Sequence, residues 1–350
     1  MKSIKNKSLI CIQIITSILF VGIISLSLGI TASADNMRFA VKPNLPENQV
    51  DKSKTYFDLK MIPGQKETIE LEVSNSTDEE IIVEINANTA LTNDNGVADY
   101  SQSMIKKYDG TLKTPFSTIA KPHENELTLA PNESKIAKID IDMPKDEYDG
   151  LILGGIHLAE KDTKTEKSAD SGVQIKNNFA YVVGVSLREN DNEVKTHLEL
   201  NDIVPTQVNY RNFVKANIQN TTAEIVKNFK VDARIYTEKG KEVLHQTKKE
   251  DMRMVPNSNF DYAISWDNQE FKAGVYRLEM DALANGEEYH WVKNFTIDAK
   301  EAKELNAKAV DLEKSSNLML YIMIGIAILI ALLLVLIVLV LRKKGDKKEQ

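Results

Sequence analysis

The residues best suited to chemistry are few in this chain, and their spacing is poor for it. Five histidines (His123, His157, His197, His245 and His290) are scattered with no pair at ligand spacing, so no metal centre is expected. No Gly-x-Ser-x-Gly turn and no phosphate-cradling glycine loop occurs. Ser103-Met104-Ile105-Lys106 has the Ser-x-x-Lys spacing of penicillin-recognising enzymes, but no Lys-Thr-Gly follows it. Asn93-Asp94-Asn95-Gly96, with Asp99 behind it, carries the oxygens of a calcium loop. It lacks the alternating ligands and the distal Glu, and Asn-Gly between strand-like runs reads as a hairpin turn. The acidic pairs Glu79-Glu80 and Glu287-Glu288 sit in turns as solvated charge. Trp266 and Trp291 lie in alternating runs, where large aromatics pack into a core. Neither an enzyme nor a cofactor protein is expected, which leaves binding. The segment 88–122 reads as a loop insertion, and its Tyr100, Tyr108 and Phe116 are the candidate ligand contacts.

The ends of the chain set the compartment in which such contacts would work. Lys2, Lys5 and Lys7 precede an apolar run from Leu9 to Ile30, and Ala32-Ser33-Ala34 is a small-x-small cleavage signal. A secretory signal peptide over residues 1–34 is expected, with an uncleaved anchor as the alternative. The one cysteine, Cys11, lies inside that run, so cleavage would leave a chain without disulfides. Leu318 to Leu341 carries no charge and, as a helix, would be about 36 Å long, enough to cross a bilayer. Arg342, Lys343, Lys344, Lys347 and Lys348 follow, so residues 342–350 are expected to be a cytoplasmic tail and the preceding residues to lie outside. Three lysines and no acid precede residue 35, and five basic and two acidic residues follow residue 317. That leaves 36 of the 44 basic and 49 of the 51 acidic residues between, a net charge of −13. Such a surface argues against nucleic acid as a partner.

The elements between these ends read as strands. Thr68 to Val73 alternates strictly, with Ile69, Leu71 and Val73 on one face, and Ile81 to Ala87, Lys138 to Asp142 and Phe229 to Ile235 repeat the pattern. Val275 to Met280 and Trp291 to Ile297 follow it less strictly, while Leu151 to Leu158 and Phe179 to Leu187 are more continuously apolar. Turn dipeptides separate them, among them Pro63-Gly64, Pro131-Asn132, Asp149-Gly150, Pro256-Asn257 and Asn285-Gly286. There is an internal echo. Val73-Ser74-Asn75-Ser76-Thr77 precedes a strand and then Pro131-Asn132; Ile218-Gln219-Asn220-Thr221-Thr222 precedes a strand and then Pro256-Asn257. The expectation is an all-β chain of two immunoglobulin-like β-sandwiches, residues 35–160 and 172–298, joined by a charged linker at 161–171. A helical stalk over 299–317 and a single transmembrane helix over 318–341 would follow.

Several fragments resemble one family. They are Tyr56-Phe57-Asp58-Leu59, Pro63-Gly64-Gln65, Asn95-Gly96 through Tyr100-Ser101, and Met143-Pro144 through Tyr148-Asp149-Gly150-Leu151-Ile152-Leu153-Gly154-Gly155-Ile156. Asn178 to Val185, Asn217 to Asn220, Trp266 and Ala273-Gly274-Val275-Tyr276 complete the series. In this order, with a signal peptide, membrane helix and Lys-rich tail, the chain resembles the WxL-protein-interacting family of Gram-positive surface proteins over residues 37–345. The resemblance implies a peptidoglycan-binding first domain, a host-binding second domain, and association with WxL-domain proteins at the wall. Implied partners are therefore WxL-domain surface proteins, peptidoglycan, host extracellular-matrix proteins, and the lipid bilayer through the C-terminal helix. The chain has no Trp-x-Leu itself, since Trp266 precedes Asp267-Asn268 and Trp291 precedes Val292-Lys293, so it would be the tethered partner. A structural stalk or assembly factor without its own ligand is the alternative function.

Overall fold

The computed structural model describes residues 37–161, 179–312 and 322–334. The expected signal peptide, most of the 161–171 linker and the basic tail lie outside the described residues. The N-terminal strands are β1 (Phe39–Asn44), β2 (Phe57–Lys60), β3 (Lys66–Asn75) and β4 (Ile81–Thr89). A small hairpin of β5 (Leu91–Thr92) and β6 (Ala98–Asp99) follows, then the single turn α1 (Phe116–Ile119). Next come β7 (Ala120–Pro122), β8 (Glu126–Leu129), β9 (Ser134–Asp142), β10 (Ile152–Glu160) and β11 (Ala180–Arg188). One sheet runs β1-β3-β9-β7 and a second β2-β11-β10-β4-β8. Between them lies one core of Phe57, Leu59, Ile69, Leu71, Val73, Ile139, Ile156 and their neighbours. The alternating runs explain the layering, because the period-2 strand turns Ile69, Leu71 and Val73 inward together and leaves Glu70 and Glu72 near solvent.

The C-terminal strands are β12 (Leu198–Val208), β13 (Arg211–Asn220), β14 (Val226–Thr237), β15 (His245–Met254), β16 (Ser258–Ser265), β17 (Gly274–Ala284) and β18 (Glu287–Ile297). They form a β12-β13-β16 sheet and a β15-β14-β17-β18 sheet around a separate core that includes Val214, Phe229, Tyr262, Trp266 and Leu278. Trp266 is buried there and Trp291 packs against its edge, as packing aromatics should. The turn dipeptides are where they were expected. Gly64, Gly96, Gly150, Gly286, Asn132, Asn257 and Asn285 all take positive φ.

Two expectations need correction. β11 does not begin the second sandwich. It pairs antiparallel with β10 and parallel with β2, inside the first. The charged run therefore joins two paired strands of one sheet, so the sandwich boundary falls after Arg188. The reason is burial. Val183, Val185 and Leu187 complete the first core, and Arg188 brings its guanidinium within 2.6 Å of the buried Asp58 carboxylate. A fragment of residues 37–161 should thus show no cooperative melting by circular dichroism, whereas 37–190 should. Among the described strands β2's sheet neighbour is β11, with a single bridge from Gln49 to Leu59 on its other side.

The second correction concerns residues 299–317. Helix α2 (Ala299–Lys308) forms, but it is docked on the second sandwich and is not a free stalk. Ala302 is buried and Leu305 packs on the core. Asn306 accepts from the Asn212 amide at 2.9 Å and donates to the Phe271 carbonyl at 2.9 Å. Beyond it, the Val310 amide donates to the Tyr210 carbonyl at 2.8 Å. Of the apolar run 318–341, residues 322–334 form a helix, α3, and its flanks lie outside the described residues. Among the described residues no helix is long and apolar enough to cross a membrane.

Candidate functional site: the insertion and the faces it touches

The insertion between β4 and β8 folds back on the first sandwich. Phe116 is fully buried, its ring lying against Gly154 of β10, so it is a core residue. Tyr100 lies over the other face of the same strand. A Cβ added at Gly155 would stand 2.9 Å from its ring. The Asn88 side chain, itself buried, donates to the Tyr100 carbonyl at 2.7 Å and fixes that position. Burial pushes the Tyr100 hydroxyl pKa up. Tyr108 hydrogen bonds to Ser117 Oγ at 2.9 Å, and the Ser117 amide donates to Thr89 Oγ1 at 3.0 Å. The two glycines of the Gly154-Gly155 signature thus each receive one aromatic ring from the insertion, on opposite faces of one strand. Of the three candidate ligand contacts, Tyr100 and Tyr108 stay half-buried at the surface. Ser103 and Lys106 are both exposed on the insertion's loop.

Asn93 to Gly96 closes the β5–β6 hairpin. The Gly96 amide donates to the Asn93 carbonyl at 2.8 Å, and Asn93 Oδ1 accepts from the Asn95 amide at 3.0 Å. Asp94 is held by Lys215 at 2.6 Å, and Asp99 accepts from Ser101 and Gln102.

Sequence reasoning missed what this hairpin does, which is to join the two sandwiches. Thr92 Oγ1 hydrogen bonds to Ser258 Oγ at 2.7 Å and accepts from the Val255 amide at 3.0 Å, both within buried surroundings. The Arg253 amide donates to the Gly96 carbonyl at 2.7 Å, and the Leu151 amide to the Ala223 carbonyl at 2.8 Å. Asp109 accepts from Gln219 at 2.9 Å and from Asn259 at 2.5 Å. The amides of Asn201, Asn217, Gln219 and Asn259 form a hydrogen-bonded row across β12, β13 and β16, and Asp109 ends it. A cleft of about 730 Å³ remains beside this junction, lined in part by Lys113, Asp146, Tyr148 and Thr221. Burial pushes the Tyr148 hydroxyl there up to about 12.

Burial opposes the charge on Asp109, but hydrogen bonds from Thr111, Asn259 and Gln219 outweigh it and hold its carboxyl below the ordinary value of 3.8. A depressed carboxyl stabilises the junction above its ordinary range, and that contribution is lost as pH falls through the depressed value. Asp109→Asn should therefore lower the melting temperature at pH 6, by the equivalent of about 1 kcal/mol, and the gap should narrow as pH falls below 3.8. A gap that does not narrow would contradict this.

The outer face of the first sandwich's larger sheet carries the remaining feature. Gly155 and Gly184 are direct partners across β10 and β11, and Asn88 extends the same row on β4. Tyr56 stands next to Gly184, with its Cβ 3.9 Å from where a Gly184 Cβ would be. The next row holds Val182, His157 and Asn86. Desolvation lowers the His157 pKa, with partial opposition from Asp99 and Glu84. No group of His, Cys, Asp and Glu among the described residues could hold a metal ion.

The model of the peptidoglycan binding domain of WxL Interacting Protein matches residues 39–160, and that of the host binding domain of WxL Interacting Protein matches residues 170–307. No curated protein matches the chain. Among solved structures it is similar to a chain from a chaperone-tip adhesin complex of CFA/I fimbriae biogenesis, at 13% identity over 73% of this chain and 99% of that one, TM-score 0.30. It is also similar to a chain of the CsuC–CsuE chaperone-tip adhesion subunit complex of Acinetobacter baumannii, at 10% identity over 65% and 91%, TM-score 0.32. The Pseudomonas aeruginosa CupB2 chaperone gives 11% identity over 68% and 96%, TM-score 0.27. Both matched families are binding domains, and they follow one another along the chain, although β11, which pairs within the first sandwich, falls inside the second match. The chain belongs to the WxL Interacting Protein family, with its peptidoglycan-binding and host-binding domains in that order along the sequence.

Proposed function

We propose that this cell-surface binding protein tethers WxL-domain proteins at the Gram-positive cell wall. The first sandwich holds peptidoglycan, the second faces host extracellular-matrix proteins, and the apolar run at 318–341 anchors the chain in the membrane with its basic tail inside. The observation that carries this reading is the junction between the sandwiches. Thr92, Asp94, Gly96 and Asp109 of the first are hydrogen bonded or ion paired to the second, so a grip on the wall by one sandwich sets the direction of the other. Such an interface restricts the relative motion of the two domains.

The test is capture of a purified WxL domain and of peptidoglycan by the full-length chain. Capture of both is expected. A folded chain that captures neither would replace the tether with the structural-stalk reading, and one that captures peptidoglycan alone would leave a wall-binding protein that does not tether WxL domains.

A further inference from the structure

The first sandwich has a surface strip whose construction points to a particular kind of ligand. Gly155 and Gly184 lie opposite each other on neighbouring strands. Gly184 leaves a side-chain-free floor on β11, inside a five-stranded sheet, whereas Gly155 is itself buried and covered by the Tyr100 ring and Val182. Two tyrosine rings border that floor, Tyr100 above Gly155 and Tyr56 beside Gly184. Val182 closes one side, its Cγ1 within 3.2 Å of where a Gly155 Cβ would be. Tyr56 and Val182 are 38% and 43% exposed, large values for apolar groups so close together. Polar groups stand at the margin. His157 and Asn86 occupy the adjoining row, and the Lys54 ammonium sits 5.3 Å from the Tyr56 ring centroid.

Several ligand classes can be compared against this geometry. An extended peptide recognised by strand addition needs free backbone at a sheet edge. β10 and β11 are interior strands with both neighbours paired, so the strip has no backbone to offer. Nucleic acid is disfavoured by the acidic surface. A flat ring that stacks its C–H face on tyrosine and hydrogen bonds around its margin suits an aromatic-walled floor rimmed by imidazole and amide groups. Sugars of the cell wall have that form, with hydroxyl and acetamido groups at the ring edge.

We infer that the floor over Gly184, between Tyr56 and the Tyr100 ring that covers Gly155, seats an N-acetylated sugar of the peptidoglycan glycan strand. The inference rests on the peptidoglycan-binding reading of the first domain and locates that binding. It also makes β11 part of the site, although β11 lies beyond residue 160, because Gly184 and Val182 belong to it.

The test uses the full-length chain in mild detergent, with purified peptidoglycan sacculi, sacculi stripped of stem peptides, and a soluble N-acetylglucosamine hexamer. Gly184→Leu fills the floor where a Cβ meets only the Tyr56 Cβ at ordinary contact distance, so the variant should fold. It should bind all three probes at least about tenfold more weakly, with an unchanged melting temperature. Tyr56→Ala, at an exposed ring, should weaken binding in the same direction, and Tyr210→Ala, an exposed tyrosine on the other sandwich, should not. Sacculus binding that both strip variants retain would overturn the inference and leave the wall-binding reading standing. So would binding that disappears when stem peptides are removed. If the unaltered chain binds no probe, the wall-binding reading fails and the inference with it.

Discussion

Gly154→Ala is expected to destabilise the first sandwich by about 3 kcal/mol, a fall of roughly 10 °C in its melting temperature. The position has ordinary strand φ, so backbone strain plays no part. The cost comes from the ring of Phe116, which lies against the Gly154 Cα and leaves no room for a methyl group. Phe116 cannot turn away, because it is fully buried among residues of the first core. Interiors packed at crystal-like density resist such an addition. A cycle with Phe116→Ala separates this cause from any general intolerance of the strand. Phe116→Ala alone should cost about 3–5 kcal/mol through the cavity it leaves. The double variant should be no less stable than Phe116→Ala, since the added methyl then enters the vacated space. A loss under about 1 kcal/mol for Gly154→Ala alone would contradict the packing account. Both tryptophans belong to the second sandwich, so their fluorescence follows that half, and circular dichroism follows both.

Asn220→Ala should cost the second sandwich about 3 kcal/mol, read by tryptophan fluorescence during thermal unfolding. Asn220 is completely buried at the end of β13. Its Nδ2 donates to the Glu224 carbonyl at 2.8 Å and the Val255 carbonyl at 3.0 Å, while its Oδ1 accepts from the Thr222 amide and hydroxyl. Truncation leaves the buried Val255 carbonyl and the half-buried groups of Thr222 and Glu224 without their partner, and each orphaned buried group costs about 1–3 kcal/mol. Asn75 does the same work in the first sandwich, donating to the Glu79 and Ala130 carbonyls and accepting from Thr77. Asn75→Ala should therefore cost a similar amount, and the tryptophan signal should move less than for Asn220→Ala. Equal movement of that signal in both variants would show that the halves unfold as one unit.

That pair of asparagines also shows what can be read from residues alone. The echo of Asn75 and Asn220 is visible in sequence because the corner is local. Each side chain makes part of its bonds within four residues of itself, to Thr77 and Glu79 or to Thr222 and Glu224, so that part of its chemistry is written in a short motif. Downstream, Asn132 donates its amide to Thr77, and Asn257 to Thr222, so the echo extends to the paired turns. Strand alternation was legible for the same reason. Each strand's inward face is a property of consecutive side chains, and Ile69, Leu71 and Val73 declare it.

Partnership between distant segments was not legible. Phe179 to Leu187 reads as a buried strand in either sandwich, and the charged run before it signals only a connection. β11 joined the first sandwich because Val183, Val185 and Leu187 fill its core and Arg188 meets the buried Asp58. The insertion was visible as extra material, but its direction was not. Phe116 turned inward because Gly154, nearly forty residues away, offers a surface without a side chain. Helix α2 was recognisable by composition, yet its docking depended on Asn212 and Phe271 waiting on other elements. The sequence by itself determined the strands, their inward faces, the turns and the binding character of the chain, since these follow from neighbouring residues and overall charge. The tertiary structure decided which sandwich owns β11, how the hairpin joins the two halves, and where two tyrosines flank a glycine floor. Those outcomes depend on shape and polar complementarity between segments far apart in the chain, which no local pattern encodes.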